Sequence, residues 1–210
     1  MARTADRTEQ AERISRAVWR IMAEAGPQGL TLRAVATAAG CTTGLVLHRF
    51  PDKRALLLHA RDLLHERTGR RMDEREAEGG PPVEVLRAIL RYAASIDHGK
   101  RQEARVWLGY LTASLTDPDL AARHVTANRA FLARVGRLLA SARPGWDERA
   151  RTEVATALVA LVEGVNTLAA ADGHAYSPDR QEALLDRALD AFGLGYAATG
   201  TGRRSGTSHG

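Results

Sequence analysis

With 210 residues, 44% of them hydrophobic and 26% charged, the chain has the balance of a soluble globular protein, long enough for one large core or for a small domain joined to a medium one. Its formal charge of +5 is unevenly placed: residues 1–54 hold nine Lys/Arg against five Asp/Glu, a net of +4, and the other 156 hold 21 against 20, so a polyanion-binding surface is expected near the N-terminus. The lone cysteine, Cys41, excludes an intramolecular disulfide and a multi-cysteine zinc site and fits a reducing, cytoplasmic setting; the polar first thirteen residues do not read as a signal, and no run of about eighteen apolar residues suggests a membrane span.

Proline and glycine punctuation cuts the chain into helical segments, and alternating strand patterns are nearly absent, which predicts an all-α protein of about nine helices. A first helix is expected from about Thr8 to Ala25, with Ile14, Val18, Ile21, Met22 and Ala25 as its apolar stripe and Gly26-Pro27 as its stop. Two short helices follow, Leu32–Ala38 behind the N-cap Thr31 and Thr43–His48 behind the N-cap Thr42, joined by Ala39-Gly40-Cys41, a connection of helix-turn-helix length. Asp52 caps a long fourth helix, Lys53 to about Glu78, which ends at Gly79-Gly80-Pro81-Pro82. Further helices are expected over Val83–Asp97, Arg101–Leu115, Pro118–Ala142, Asp147–Ala171 and Ser177–Phe192, with a Gly/Ser/Thr-rich disordered tail over 195–210. The expected organisation is a three-helix unit over 1–52 and a larger helical unit over 53–194.

In the short-helix region Leu32, Val35, Ala36, Ala39, Val46 and Phe50 are the residues that would form a small core, leaving Thr42, Thr43, Leu45, His48 and Arg49 on an outer face. Hydroxyls, an imidazole, a guanidinium and an apolar side chain are groups that contact phosphates, base edges and thymine methyls. Lys53, at the start of the fourth helix, can hold a phosphate through its charge and the neighbouring N–H groups. Each residue taken alone also has a plain reading: Thr42 as a cap, His48 as a solvated histidine, Lys53 as a surface charge.

The run Leu32-Arg33-x-Val35-Ala36-x-x-Ala39-Gly40-x-Thr42-x-Gly44, followed by His48-Arg49-Phe50-Pro51-Asp52-Lys53-x-x-Leu56-Leu57, resembles the TetR-type repressors. The resemblance implies that the first three helices bind DNA, with Thr31, Arg33, Thr42, Thr43, Leu45, His48 and Lys53 as contacts. Leu47 stands where that family usually carries a tyrosine, a common phosphate-binding group. Val106-Trp107-Leu108 and Leu115-Thr116-Asp117-Pro118-Asp119-Leu120 make the C-terminal part similar to the betaine-regulator (BetI-like) branch.

The last two helices carry wide apolar stripes, so Leu158, Leu161, Val162, Val165, Leu185, Leu189 and Phe192 are expected at a symmetric four-helix dimer interface, which implies a palindromic DNA operator; the other reading buries both stripes within the monomer. Trp107, Tyr110, Leu111 and Ser114 recur along one helix, and Leu90, Tyr92, Phe131 and Asn166 could join them around a small-molecule cavity, or all could be plain core. The seven histidines form no metal-ligand pattern, and no cofactor is expected. The motifs of serine hydrolases, phosphate loops and His-Glu-x-x-His metalloenzymes are missing, which disfavours an enzyme. The expected function is a dimeric, ligand-released repressor; a ligand-independent architectural DNA binder is the alternative.

Overall fold

The structure is a computed structural model and describes residues 2–96 and 101–195, with side chains from residue 9 onward and excepting that of residue 101. The described residues form nine helices and no strand: α1 Ala2–Gly29, α2 Leu32–Ala39, α3 Thr43–Arg49, α4 Lys53–Ala77, α5 Pro82–Ala93, α6 Arg101–Ser114, α7 Pro118–Ala142, α8 Glu148–Ala171 and α9 Pro178–Ala191. The tail expected over 195–210 lies, beyond Gly195, outside the described residues.

Capping chemistry explains most boundaries. Thr31, Thr42, Asp52 and Asp147 each accept, through a side-chain oxygen, the backbone N–H three residues on, and Asp117 takes those of Asp119 and Leu120 ahead of Pro118. α1 starts earlier than the apolar stripe suggests, but its regular part stops where glycine and proline place the stop: Gly26 has φ 66°, and only one further turn follows before Leu30. α5 ends at Ala93, short of Asp97, where Ser95 takes the left-handed φ of 50°.

Two apolar cores run through the molecule. The first joins Ile14, Val18 and Met22 of α1 and Val35 and Val46 of α2 and α3 to Leu56, Ala60 and Leu64 of α4 and Val106 and Tyr110 of α6. The second joins Leu86, Ile89 and Leu90 of α5 to Val135 and Leu139 of α7, Leu158 and Val162 of α8 and Leu185 and Leu189 of α9. Thus the first core is not closed by residues 1–52 alone, since α4 and α6 supply part of it.

This packing decides the fate of the terminal apolar stripes. Leu158, Val162, Val165, Leu185 and Leu189 are buried inside the single chain, and Leu161 and Phe192 are half-buried against the same core, so this set does not form an outward face. A stripe shows that a helix face is covered, not by which neighbour, and here α5 and α7 cover it. The outward side of α8 is a different row: Ala157, Ala160 and Leu168 are exposed, Leu161 and Gly164 half-buried, and Leu184 on α9 is exposed. α8 also has the length and mean hydropathy, 1.7, of a membrane span, which a count of consecutive apolar residues misses; 28% of that window is buried in the chain.

Candidate nucleic-acid interface and internal cavity

α3 is held to the body by little. Val46 is its single buried residue, at 0% exposed, and Phe50, just after the helix, completes the anchor and lies 5.1 Å from the His59 ring. Gly40, with φ 63°, turns the chain between α2 and α3 with its N–H donated back to Thr37 O. The other residues of α3 therefore point outward or along the rim: Gly44, Leu47 and His48 are exposed, and Thr43, Leu45 and Arg49 half-buried.

Of the expected contacts, Thr31, Arg33, Thr42, His48 and Lys53 are exposed, and Thr43 and Leu45 half-buried. Thr42 Oγ1 accepts the Leu45 N–H at 3.2 Å and Thr31 Oγ1 the Ala34 N–H at 3.1 Å, so each threonine caps a helix while remaining exposed; the cap reading and the contact reading are compatible. Lys53 projects from the first turn of α4 and donates to Pro27 O at 3.2 Å, which keeps the ammonium near the α2–α3 unit. Arg33 is exposed on α2, whereas Arg49 Nε donates to Gln10 Oε1 at 3.2 Å and ties α3 to α1. Leu47 is 45% exposed, in the outward position where a tyrosine would reach a phosphate.

Above this unit, α4, α6, α7 and α8 line a partly open cavity of 210 Å³. Trp107, Tyr110, Leu111, Phe131 and Asn166 line it, as the helical spacing suggests. Leu90, Tyr92 and Ser114 do not: Leu90 is fully buried in the second core, Tyr92 lies under the Arg75 guanidinium 4.2 Å from its ring centroid, and Ser114 Oγ donates to Leu111 O. Asn166 Nδ2 donates to Ala93 O at 2.8 Å and bridges α8 to the end of α5.

The polar half of the cavity is what the sequence reading missed: Arg61, His65, His124, Asn128, Arg134 and Glu163. Arg61 carried a legible signal, because it lies in the apolar register Leu57, Arg61, Leu64, where a surface helix keeps its buried face. Burial pushes the His65 imidazole below its usual range, with the Arg61 charge adding to it, and does the same to His124. Burial raises the Tyr110 phenol and the Glu163 carboxyl. Among the described residues no group of three or more His, Cys, Asp or Glu is placed to hold a metal ion.

Charged contacts connect the cavity walls to the lower unit. Arg54, in the first turn of α4, donates to Asp117 at 2.8 Å and to Asp119, at the start of α7. Arg134 and Arg137 of α7 hold Glu76 near the end of α4, and Arg123 holds Asp62. α1 packs along α6 as well as α4 and α2.

Residues 14–60 match the model of bacterial regulatory proteins of the tetR family, and residues 82–193 match that of the BetI-type transcriptional repressor C-terminal part. The HTH-type transcriptional regulator BetI of Burkholderia lata is 34% identical over 156 residues, covering 71% of this chain and 76% of that protein. Its counterpart in Burkholderia thailandensis is 32% identical over 153 residues, covering 71% and 75%. Among solved structures, a transcriptional regulator from Rhodococcus sp. Rha1 superposes with a TM-score of 0.79 at 26% identity, covering 87% of this chain and 95% of that one. A protein from Saccharomonospora viridis, described as a transcriptional regulator and solved in complex with choline, superposes with a TM-score of 0.80 at 20% identity over 87% and 96% of the two chains. With its helix-turn-helix and its C-terminal half both matched, the chain belongs to the tetR family of bacterial regulatory proteins, as a DNA-binding transcriptional repressor of the BetI type.

Proposed function

We propose that this repressor works as a cytoplasmic homodimer on a palindromic operator, reads it through Thr31, Arg33, Thr42, Thr43, Leu45, His48, Arg49 and Lys53, and is released by a small molecule that enters the cavity. It acts by binding, not by catalysis. Residues 1–52 are the reading unit and 53–194 the sensing and pairing unit. The observation that carries the reading is α3, anchored by Val46, by Phe50 just after it and by Arg49 to α1, with Gly44, Leu47 and His48 exposed. That is the posture of a helix that enters a major groove.

Release follows from the position of the cavity. Its walls, α4 and α6, are also the helices against which α1 packs, so a ligand that favours one spacing of α4 and α6 biases the placement of α3. The choline bound by the S. viridis protein supports a ligand site in this fold without naming the ligand of this chain. Pairing is supported by α8, an apolar helix most of whose window is uncovered in the single chain. The pairing face is the row Ala157, Ala160, Leu161, Gly164 and Leu168 with Leu184, in which Ala157, Ala160 and Gly164 let two helices approach closely and the leucines supply apolar area.

Fluorescence anisotropy with duplexes from the flanks of its own gene tests the reading. One fragment should bind at least about a thousand times more tightly than unrelated duplex. Equal, weak binding to every duplex would refute it. Sedimentation of Ala160→Arg should give a monomer with lost operator affinity, and an unchanged dimer would move the pairing face elsewhere.

A further inference from the structure

Arg61 brings to the cavity a positive charge that the described residues balance only in part. Arg61 lines it and is 3% exposed. The acid nearest to it is Asp62, whose Oδ1 lies 3.8 Å from Nη1, beyond hydrogen-bond reach, and whose Oδ2 receives Arg123. Two guanidiniums thus share one carboxylate. A buried cation left in that state is costly, because the low-dielectric surroundings replace little of its lost hydration.

The neighbours do not supply the missing charge, but they supply donors. Tyr110, His65 and His124 line the same cavity as Arg61. Tyr110 Oη is buried without a hydrogen-bond partner. Arg134, the other cation on the wall, is held by Asp73 and Glu76. Glu163 sits on the α8 wall, and among the described residues no ion pair joins it to Arg61. Met72, Trp107, Leu108, Leu111 and Phe131 supply the apolar part of the lining.

Resting on the reading of this cavity as the effector site, we propose that the effector is a small carboxylic acid: its carboxylate pairs with Arg61, one oxygen is also within reach of Tyr110 or the imidazoles, and its apolar body lies on the Trp107–Phe131 wall. The volume of 210 Å³ matches a body of about eight heavy atoms, scaling from a cavity of about 150 Å³ that takes benzene. A purely cationic ligand would meet the guanidinium with like charge and leave its donors unpaired.

Calorimetric titration of the full-length protein with benzoate and hexanoate, against benzamide, hexanamide and choline, tests this. The acids should bind at least about tenfold more tightly than their amides. Arg61→Gln should remove that preference, and Arg61→Lys should keep part of it. Should Arg61→Gln fail to fold, the comparison of acid with amide on the native protein still decides. Acids that bind no better than amides, or binding by choline alone, overturn the proposal and leave the effector cavity standing. Operator affinity measured with acid at saturation separates the two ideas: an acid that binds through Arg61 yet leaves operator affinity unchanged keeps the site and sinks the regulatory reading.

Discussion

Replacing Lys53 by Met asks whether the start of α4 holds a phosphate or merely props up the loop before α2. The ammonium is exposed, and among the described residues it donates to Pro27 O at 3.2 Å. Losing that bond on the surface costs within about 0.5 kcal/mol, a Tm shift of about 1–2 °C for a chain of this size. Its effect on DNA is larger and has a distinct signature. Each phosphate contact contributes about 0.9 to the slope of log affinity against log salt, so a dimer losing two contacts has a slope shallower by about 1.8. Between about 50 and 200 mM salt, the gap in affinity between native protein and Lys53→Met should then shrink about 12-fold. Anisotropy titrations at four or five salt concentrations measure the slope directly. A constant offset at every salt concentration would show that Lys53 acts through Pro27 and the loop, and the phosphate assignment would fail.

Thr42→Ala removes the cap of α3 and should cost about 1 kcal/mol, lowering Tm by about 2–4 °C in a calorimetric scan, while Thr42→Ser keeps it. Gly40→Ala and Gly136→Ala should move stability in opposite directions, measured by urea unfolding. A Cβ at either meets nothing within 4 Å, but Gly40 has φ +63° and alanine there costs about 1–2 kcal/mol, whereas Gly136 lies in regular α7 and alanine gains about 0.5–1 kcal/mol. For Glu76, burial pushes the carboxyl up but hydrogen bonds from Arg137 and Arg134 outweigh it, so it is held below the ordinary carboxylate range. A depressed carboxylate stabilises the fold above its unfolded pKa and loses that contribution as pH falls through the folded value; Glu76→Gln should therefore lower Tm at neutral pH and flatten its decline below about pH 4.5, in thermal scans across pH.

Local chemistry made the helix-turn-helix legible. Thr31, Gly40, Thr42 and Asp52 act on backbone groups within four residues of themselves, so their positions in the sequence are enough to place α2, α3 and the start of α4. The same locality explains Pro118 and Asp147. The cavity was half legible. Trp107, Tyr110 and Leu111 share a helix face and spacing reports that, but Leu90 and Tyr92 point the other way around α5, which spacing on α6 cannot reveal.

The sequence by itself determined the all-helical architecture, the position of the reading helix and its basic setting, because caps, glycine turns and apolar periods are short-range effects written into neighbouring residues. Only the tertiary structure decided what covers each apolar stripe and which charges face one another. Leu158, Val162 and Leu185 look like an interface until α5 and α7 are seen to bury them. The register of Arg61 puts it on the buried face of α4, but only the packing of α6 and α7 shows that it lines a cavity. Burial and charge pairing depend on partners tens of residues away, and their energies are set by the dielectric that those partners create together.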